Sequence, residues 1–245
     1  MEILIFTISL FSAFIFSLGG VGAAIVLIPI LVSLGVPINV AKPIGLFYNT
    51  ISLSGASINN IKNKRLDFKT GIPIIIFSFL FSIAGAYLSK FIPNKIILIL
   101  FIAFLLFSGT MFLFHKKKSK DKYRSDTPYV RLSIIGAFAG LLSGMLGIGG
   151  GGIISPFMLI LGFNPKKIAS ITAFVVPFSS FSGFLTYWAI GSIDWRILSI
   201  ASIAGLIGAT LGTIFMQKKL NADTVKKVLA IILLLLAVKL IFKIF

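Results

Sequence analysis

The sequence predicts an all-α integral membrane protein built from two homologous halves, and three observations predict it. Of 245 residues, 58% are hydrophobic and 12% charged, with a mean hydropathy of +1.08, a balance outside that of soluble domains. The chain divides into uncharged stretches long enough to cross a bilayer, which takes about 20 residues per helix. Glycines and prolines recur in the same order in both halves, the signature of an internal duplication.

Ile3 to Ala41 spans 39 uncharged residues, Pro43 to Ile61 19, Thr70 to Ser89 20 and Ile96 to Phe114 19. In the second half Leu132 to Pro165 spans 34, Ile168 to Ile193 26 and Ile197 to Gln217 21. The last unit, Val228 to Phe245, carries Lys239 and Lys243 near its end, where long side chains reach the headgroup layer. These make eight hydrophobic units, and two are too long for one pass. Ile3 to Leu34 as one helix would run about 48 Å at 1.5 Å per residue, against a hydrocarbon core of about 30 Å. Each long unit is therefore expected as a glycine-broken hairpin or a strongly broken helix, followed by three transmembrane helices. Met1-Glu2 lacks a basic n-region and the apolar run continues past any cleavage site, so it reads as structure rather than a removable signal.

The repeat has an offset of 127 to 128 residues. Gly20-Val21-Gly22 matches Gly147-Ile148-Gly149, Pro29 matches Pro156, Gly35 matches Gly162, Ala41 matches Ala169 and Gly55 matches Gly183. Residues 1–114 are read as the first repeat, 115–130 as a basic linker and 131–245 as the second repeat. Loop charge separates two topologies. If each long unit crosses once, the lysines and arginines divide 14 to 9; if each returns to its own side, they divide 17 to 6. The second division favours hairpins, three crossings per half, inverted repeats and both termini outside.

The formal charge of +17 would suggest nucleic acid in a soluble protein, but here the charge sits in short loops, where it sets orientation, and nucleic acid is excluded as a partner. The run 116–124 is expected as a solvated cytoplasmic loop, with anionic lipid headgroups as its available partner. Cysteine is absent, which removes disulfides, thiol nucleophiles and thiolate metal sites. The one histidine, His115, stands beside three lysines, so neither metal nor cofactor is expected and no enzymatic constellation is present. No carboxylate lies within an uncharged stretch, which weakens any reading as a cation transporter.

The candidate site lies at the glycine breaks, Gly19-Gly20-Val21-Gly22-Ala23-Ala24 and Gly147-Ile148-Gly149-Gly150-Gly151-Gly152. Glycine clusters do not hold a regular helix, at about 1 kcal/mol each relative to alanine, and unwound backbone in a bilayer must be buried or line a cavity. A helix starting after such a break aims unpaired N–H groups and its positive end at an anion. Close helix packing is the alternative for the glycines, but its recurrence at equivalent positions favours a binding site. Asn49 and Thr50 in the first half, and Thr172, Ser179 and Ser180 in the second, lie in the following helices. Singly they read as packing hydrogen bonds; as a set they read as lining for a substrate that must also be released. Lys42 is expected at headgroup level first, and as an electrostatic attractor of anions second. Asp67 and Asp194 recur at equivalent loop positions, read as helix caps first and gating residues second.

At these residues the sequence resembles the TauE/SafE family of membrane permeases. Gly147-Ile148-Gly149-Gly150-Gly151, Pro156, Gly162, Ala169 to Thr172 and Ile193-Asp194-Trp195-Arg196 carry the likeness in the second half. The first half keeps Gly20, Gly22, Pro29, Gly35, Pro37, Ala41 and Asp67, but has Ala23-Ala24 where glycines are usual and Ile44 opposite Thr172. The resemblance implies a multi-pass plasma-membrane permease that exports small anions such as sulfite, sulfonates or other organosulfur anions. Alternatives are an anion or solute channel, a non-transporting membrane subunit or chaperone, and an intramembrane enzyme. Self-association is left open.

Overall fold

The structure is a computed structural model that describes residues 2–17, 20–114, 123–124, 126–191, 193–219 and 222–244, with backbone alone at 216–219, 222–226, 228–229 and 243–244. His115 and most of the basic run 116–124, the expected contact for lipid headgroups, lie outside the described residues.

Among the described residues the elements are helices in the order α1 (Glu2–Ser17), α2 (Ala24–Ser33), α3 (Ile38–Lys62), α4 (Phe68–Leu88), α5 (Asn94–Phe114), α6 (Tyr129–Leu146), α7 (Gly151–Ile160), α8 (Pro165–Ile190), α9 (Trp195–Lys219) and α10 (Ala222–Ile244). The eight expected units thus resolve into ten helices, because each long unit is interrupted at its glycines. Helix starts follow local chemistry. Asp67 accepts from Thr70 N–H and caps α4; Asn164 accepts from Lys166 N–H, with Pro165 opening α8; Asp194 accepts from the N–H groups of Arg196 and Ile197 at the start of α9.

Five helical segments are long and apolar enough to cross a membrane: α4, α5, α6, α8 and residues Trp195–Phe215 of α9. The helices α2 and α7, ten residues each, rise only about 15 Å. Large apolar side chains such as Ile72, Leu80, Ile134, Ile203 and Leu235 stay exposed on the outer faces, as a lipid-facing surface requires.

Contacts fix the relative directions of the helices. α3 and α8 run antiparallel at the centre: Lys42 Nζ lies 5.3 Å from the Tyr187 ring centroid, the Phe47 and Phe184 rings are 4.7 Å apart, and Ser57 Oγ donates to Ala173 O at 2.8 Å. α4 runs parallel to α8, from the Phe68–Phe174 contact to the Ser89–Tyr187 hydrogen bond. It also runs parallel to α6, whose Gly136, Gly140 and Gly144 rest on the backbone at Ile74, Ser78 and Ser82. The same arrangement recurs with the halves exchanged: α9 runs along α1, with Gly208 on Leu10 and Gly212 on Phe14, and along α3, with Gly205 under Tyr48. A Cβ on Gly140 or Gly208 would fall 2.4 Å or 2.1 Å from a backbone oxygen, so only glycine permits this approach.

α1 therefore runs with α3, while α2 runs against it, since Ala24 packs at the level of Asn49 and Ile28 at the level of Gly45. α1 and α2 form a hairpin whose tip lies beside the midpoint of α3. α6 and α7 do the same beside α8, where Gly149 meets Val176 and Ser180. The two tips meet: a Cβ on Gly151 would lie 2.4 Å from the Val21 carbonyl oxygen. One end of the bundle, the terminal face, holds Glu2 against Arg196 and the turns 34–37, 89–93 and 193–194. The opposite linker face holds 63–67 and 161–164, where Arg124 N–H donates to Gly162 O at 2.9 Å and Lys167 pairs with Asp67 at 2.6 Å.

Candidate functional site

The glycine breaks form two tight turns at the centre. Gly20, Gly22, Gly147 and Gly149 have φ of +64°, +86°, +80° and +69°, left-handed values that let the chain reverse within a few residues. Gly150 has φ −71° and opens α7 as an ordinary residue. All of residues 20–24 and 147–152 are buried.

Asn49 lies between the tips, fully buried. Its Oδ1 accepts from Ala24 N–H at 3.0 Å and its Nδ2 donates to Ile148 O at 2.6 Å. The side chain thus supplies to the first tip the acceptor that an anion would supply at a helix N-terminus. A Cβ at Gly22 would lie 2.9 Å from Asn49 Oδ1, and one at Gly149 2.5 Å from Asn49 Nδ2, so both glycines are spaces the amide needs.

The second tip is different. Among the described residues, the N–H groups of residues 148–152 have no hydrogen-bond acceptor; the first bonded ones are Ile153 and Ile154, both to Gly150 O. Ser180 Oγ, 2.9 Å from where a Gly149 Cβ would sit, is fully buried and has no partner among the described residues. Buried donors without partners cost free energy and call for an explanation. Here they precede and open α7, at its positive end, in the longest such row at either tip among the described residues.

The other polar candidates are spent locally. Thr50 Oγ1 donates to Leu46 O, Thr172 Oγ1 to Ile168 O and Ser179 Oγ to Val176 O, each a bond to the preceding turn of its own helix. They leave lone pairs, not hydrogens, for a neighbour, so Ser180 alone of this set keeps a free donor. Thr172 Oγ1 also lies 2.6 Å from the place of a Gly20 Cβ, which is packing against the first tip. Gly151 fits against Val21 O and Gly152 against Phe104, where a Cβ would be 2.4 Å and 2.9 Å away.

Lys42, expected at headgroup level, is 2% exposed and buried between helices beside the terminal-face turn 89–93. Its Nζ donates to Ser89 Oγ at 3.3 Å and stands over the Tyr187 ring, while Tyr187 OH donates to Gly144 O at 2.9 Å. Ser89 at the end of α4 and Tyr187 of α8 cover the side chain. Asp67 and Asp194 both cap helices, and Asp67 adds the ion pair to Lys167 that ties α4 to α8. Burial pushes the Asp67 carboxyl up, but hydrogen bonds from Lys167 and Thr70 and the lysine charge outweigh it and hold the group below its ordinary value. Ser89 and Tyr187 escaped the sequence reading; the signal was Lys42 itself, the only charge between Ile3 and Ile61.

A bundle of apolar helices around two broken hairpins, with unpartnered donors at its centre, defines a membrane protein with an internal polar site. Comparison with known proteins then gives the family. The model of the family described as "Sulfite exporter TauE/SafE" matches residues 5–240, and the chain belongs to that family. It is similar to the "Probable membrane transporter protein YunE" of Bacillus subtilis (strain 168), 28% identical over 98% of this chain and 97% of the relative. A "Probable membrane transporter protein" of Haemophilus influenzae is 27% identical over 95% of each chain. "Sulfite exporter TauE/SafE family protein 6" of Arabidopsis thaliana is 35% identical over 41% of this chain and 24% of the relative. The protein is a multi-pass membrane protein of a transporter family, not an enzyme family.

Proposed function

We propose that the protein is a secondary carrier that exports small anions, sulfite or sulfonates among them, and that it binds them at the N-terminus of α7. The observation that carries this reading is the row of unpartnered N–H groups at residues 148–152 beside the unpartnered Ser180 hydroxyl. Gly149, Gly150, Gly151 and Gly152 bring backbone donors to the anion, and Ser180 adds a side-chain donor. Gly20 and Gly22 shape the facing tip, whose own donor at Ala24 is taken by Asn49. Thr50, Thr172 and Ser179 border the site and would join the anion's shell only by releasing the carbonyls they now hold.

The two halves act as inverted repeats, with hairpin tips at the bilayer midplane. The antiparallel run of α3 and α8, equivalent helices in the repeat, supports this. The 17 to 6 division of basic residues puts the linker face in the cytoplasm and the termini outside. Burial of both tips supports a carrier with alternating access over an open channel. The moving units are two bundles that each borrow a helix from the other half, α1–α3 with α9 and α6–α8 with α4, since the glycine contacts of α4 on α6 and of α9 on α1 hold those helices together; residues 1–114 and 131–245 are the repeats, joined by the linker 115–130.

The experiment is flux of labelled sulfite into proteoliposomes, with methanesulfonate, sulfate, taurine and acetate as competitors. A carrier gives saturable flux that the competing anions inhibit in a definite order. Flux that rises linearly with concentration would point to a channel, and no anion flux would contradict the reading.

A further inference from the structure

We propose that Ser108 of α5 is a positioning residue for the anion site: its hydroxyl closes the gap that Pro156 opens in α7, and so fixes the glycine turn that offers N–H groups to the anion. The inference rests on the anion-carrier reading above and adds to it a residue outside both hairpins.

Proline lacks an N–H, and inside a helix its ring also crowds the carbonyl four residues back. Pro156 stands within the ten residues of α7, so the buried Gly152 carbonyl loses its helical donor. Such a carbonyl needs another partner. Ser108 Oγ, fully buried, donates to it at 3.1 Å from a neighbouring helix. Hydroxyls in helices commonly bond back to their own preceding turn, as Thr110 does to Leu106 O; Ser108 reaches across instead. One turn earlier on α5, the Phe104 ring comes within 2.9 Å of the place a Gly152 Cβ would take. α5 thus holds Gly152 by a hydrogen bond and by a close packing contact.

The held peptide borders the free donors. The unit between Gly152 and Ile153 is fixed on both sides, its C=O by Ser108 and its N–H by Gly150 O at 3.0 Å. The peptides just before it carry N–H groups without acceptors among the described residues, and the run Gly149 to Gly152 gives that stretch little stiffness of its own. An anchor from α5 supplies the stiffness, which lowers the ordering cost of binding. The first half lacks the same anchor. Pro29 is the counterpart of Pro156, but the repeat offset of 127 to 128 residues puts Leu235 or Leu236 of α10 opposite Ser108, and leucine has no donor. There Asn49 already accepts from the Ala24 N–H. The hydroxyl anchor therefore stands in the half whose donors are unpartnered.

The test is a double-mutant cycle on the full-length protein in proteoliposomes, reading the half-saturation concentration and maximal rate of labelled sulfite flux, with melting temperature as the check on folding. Ser108→Ala should raise half-saturation about three- to tenfold, the worth of one net hydrogen bond, with the maximal rate near native. Pro156→Ala returns an N–H to the Gly152 carbonyl, so in that background Ser108→Ala should change half-saturation by less than about twofold. Equal increases in the two backgrounds overturn the proposal, because a general loosening of α5 would not depend on position 156. A folded Ser108→Ala with native half-saturation also overturns it, and that comparison decides alone if Pro156→Ala carries no sulfite. If Ser108→Ala does not fold, the double variant should fold and transport, and its failure overturns the proposal. Each of these outcomes leaves the carrier reading intact while native flux is saturable. No saturable flux of sulfite or methanesulfonate by the native protein overturns both.

Discussion

Asn49 Nδ2 donates to the Ile148 carbonyl at 2.6 Å across 99 positions of sequence, and the same side chain accepts from Ala24 N–H. One buried amide therefore ties both hairpin tips to the middle of α3. Replacing it with leucine strands a buried carbonyl and a buried N–H, at a cost of about 2–4 kcal/mol for the pair. Asn49→Leu is expected to lower the melting temperature in detergent and abolish flux. Asn49→Asp keeps the acceptor for Ala24 but sets a buried carboxylate oxygen against the Ile148 carbonyl, and is expected to be at least as destabilising and equally inactive. A native melting temperature in Asn49→Leu would contradict the tie.

Gly149 and Gly35 both have left-handed backbone, at φ +69° and +94°, but only Gly149 has neighbours: a Cβ there meets Asn49 Nδ2 and Ser180 Oγ, while at Gly35 nothing lies within 4 Å. Gly35→Ala should cost only backbone strain, about 1–2 kcal/mol, and keep transport. Gly149→Ala should lose flux at least about tenfold, since it displaces the donors of the site. Equal flux in the two variants would show that steric room at the tip is irrelevant.

The Asp67–Lys167 pair gives a pH dependence whose sign follows from its environment. Asp67 titrates below its ordinary value in the folded protein, so its contribution is complete above the unfolded carboxylate pKa of about 3.9. It fades as pH falls through the folded value. Unfolding followed against pH should show the native protein losing stability in that acid range. Asp67→Asn should start less stable at neutral pH and show a shallower acid loss. Parallel curves for the two proteins would contradict the linkage.

The absence of cysteine makes topology directly measurable. Asn164→Cys, on the linker face, should react with an impermeant maleimide only from the cytoplasm; Asn39→Cys, exposed at the start of α3, only from outside. The reverse pattern would overturn the assigned orientation.

Much of this architecture was legible because glycine and proline act through the backbone. The left-handed turns at Gly20, Gly22, Gly147 and Gly149 need no tertiary information to be suspected, and a unit of 32 residues cannot be one straight pass. Caps at Asp67 and Asp194 are equally local. What could not be read depends on which face of a helix a residue occupies. Ser179 and Ser180 are adjacent, yet one is bonded to Val176 O and the other is unpartnered. Lys42 looks the same in sequence whether it snorkels or is covered, and its covering by Ser89 and Tyr187 comes from helices 47 and 145 positions away. Asn49 was legible as a polar residue near the break, but its bond to Ile148 exists only once the two tips meet.

The central claim, that an anion is held by free donors at the α7 N-terminus, is tested most directly by Ser180→Ala in proteoliposomes. The native hydroxyl has no partner among the described residues, so its removal breaks no bond within the fold and the melting temperature should stay native. A hydrogen bond to a charged group is worth about 1.5–3 kcal/mol, so the half-saturation concentration for sulfite should rise about tenfold or more. A folded Ser180→Ala protein with native half-saturation for every transported anion would contradict the account.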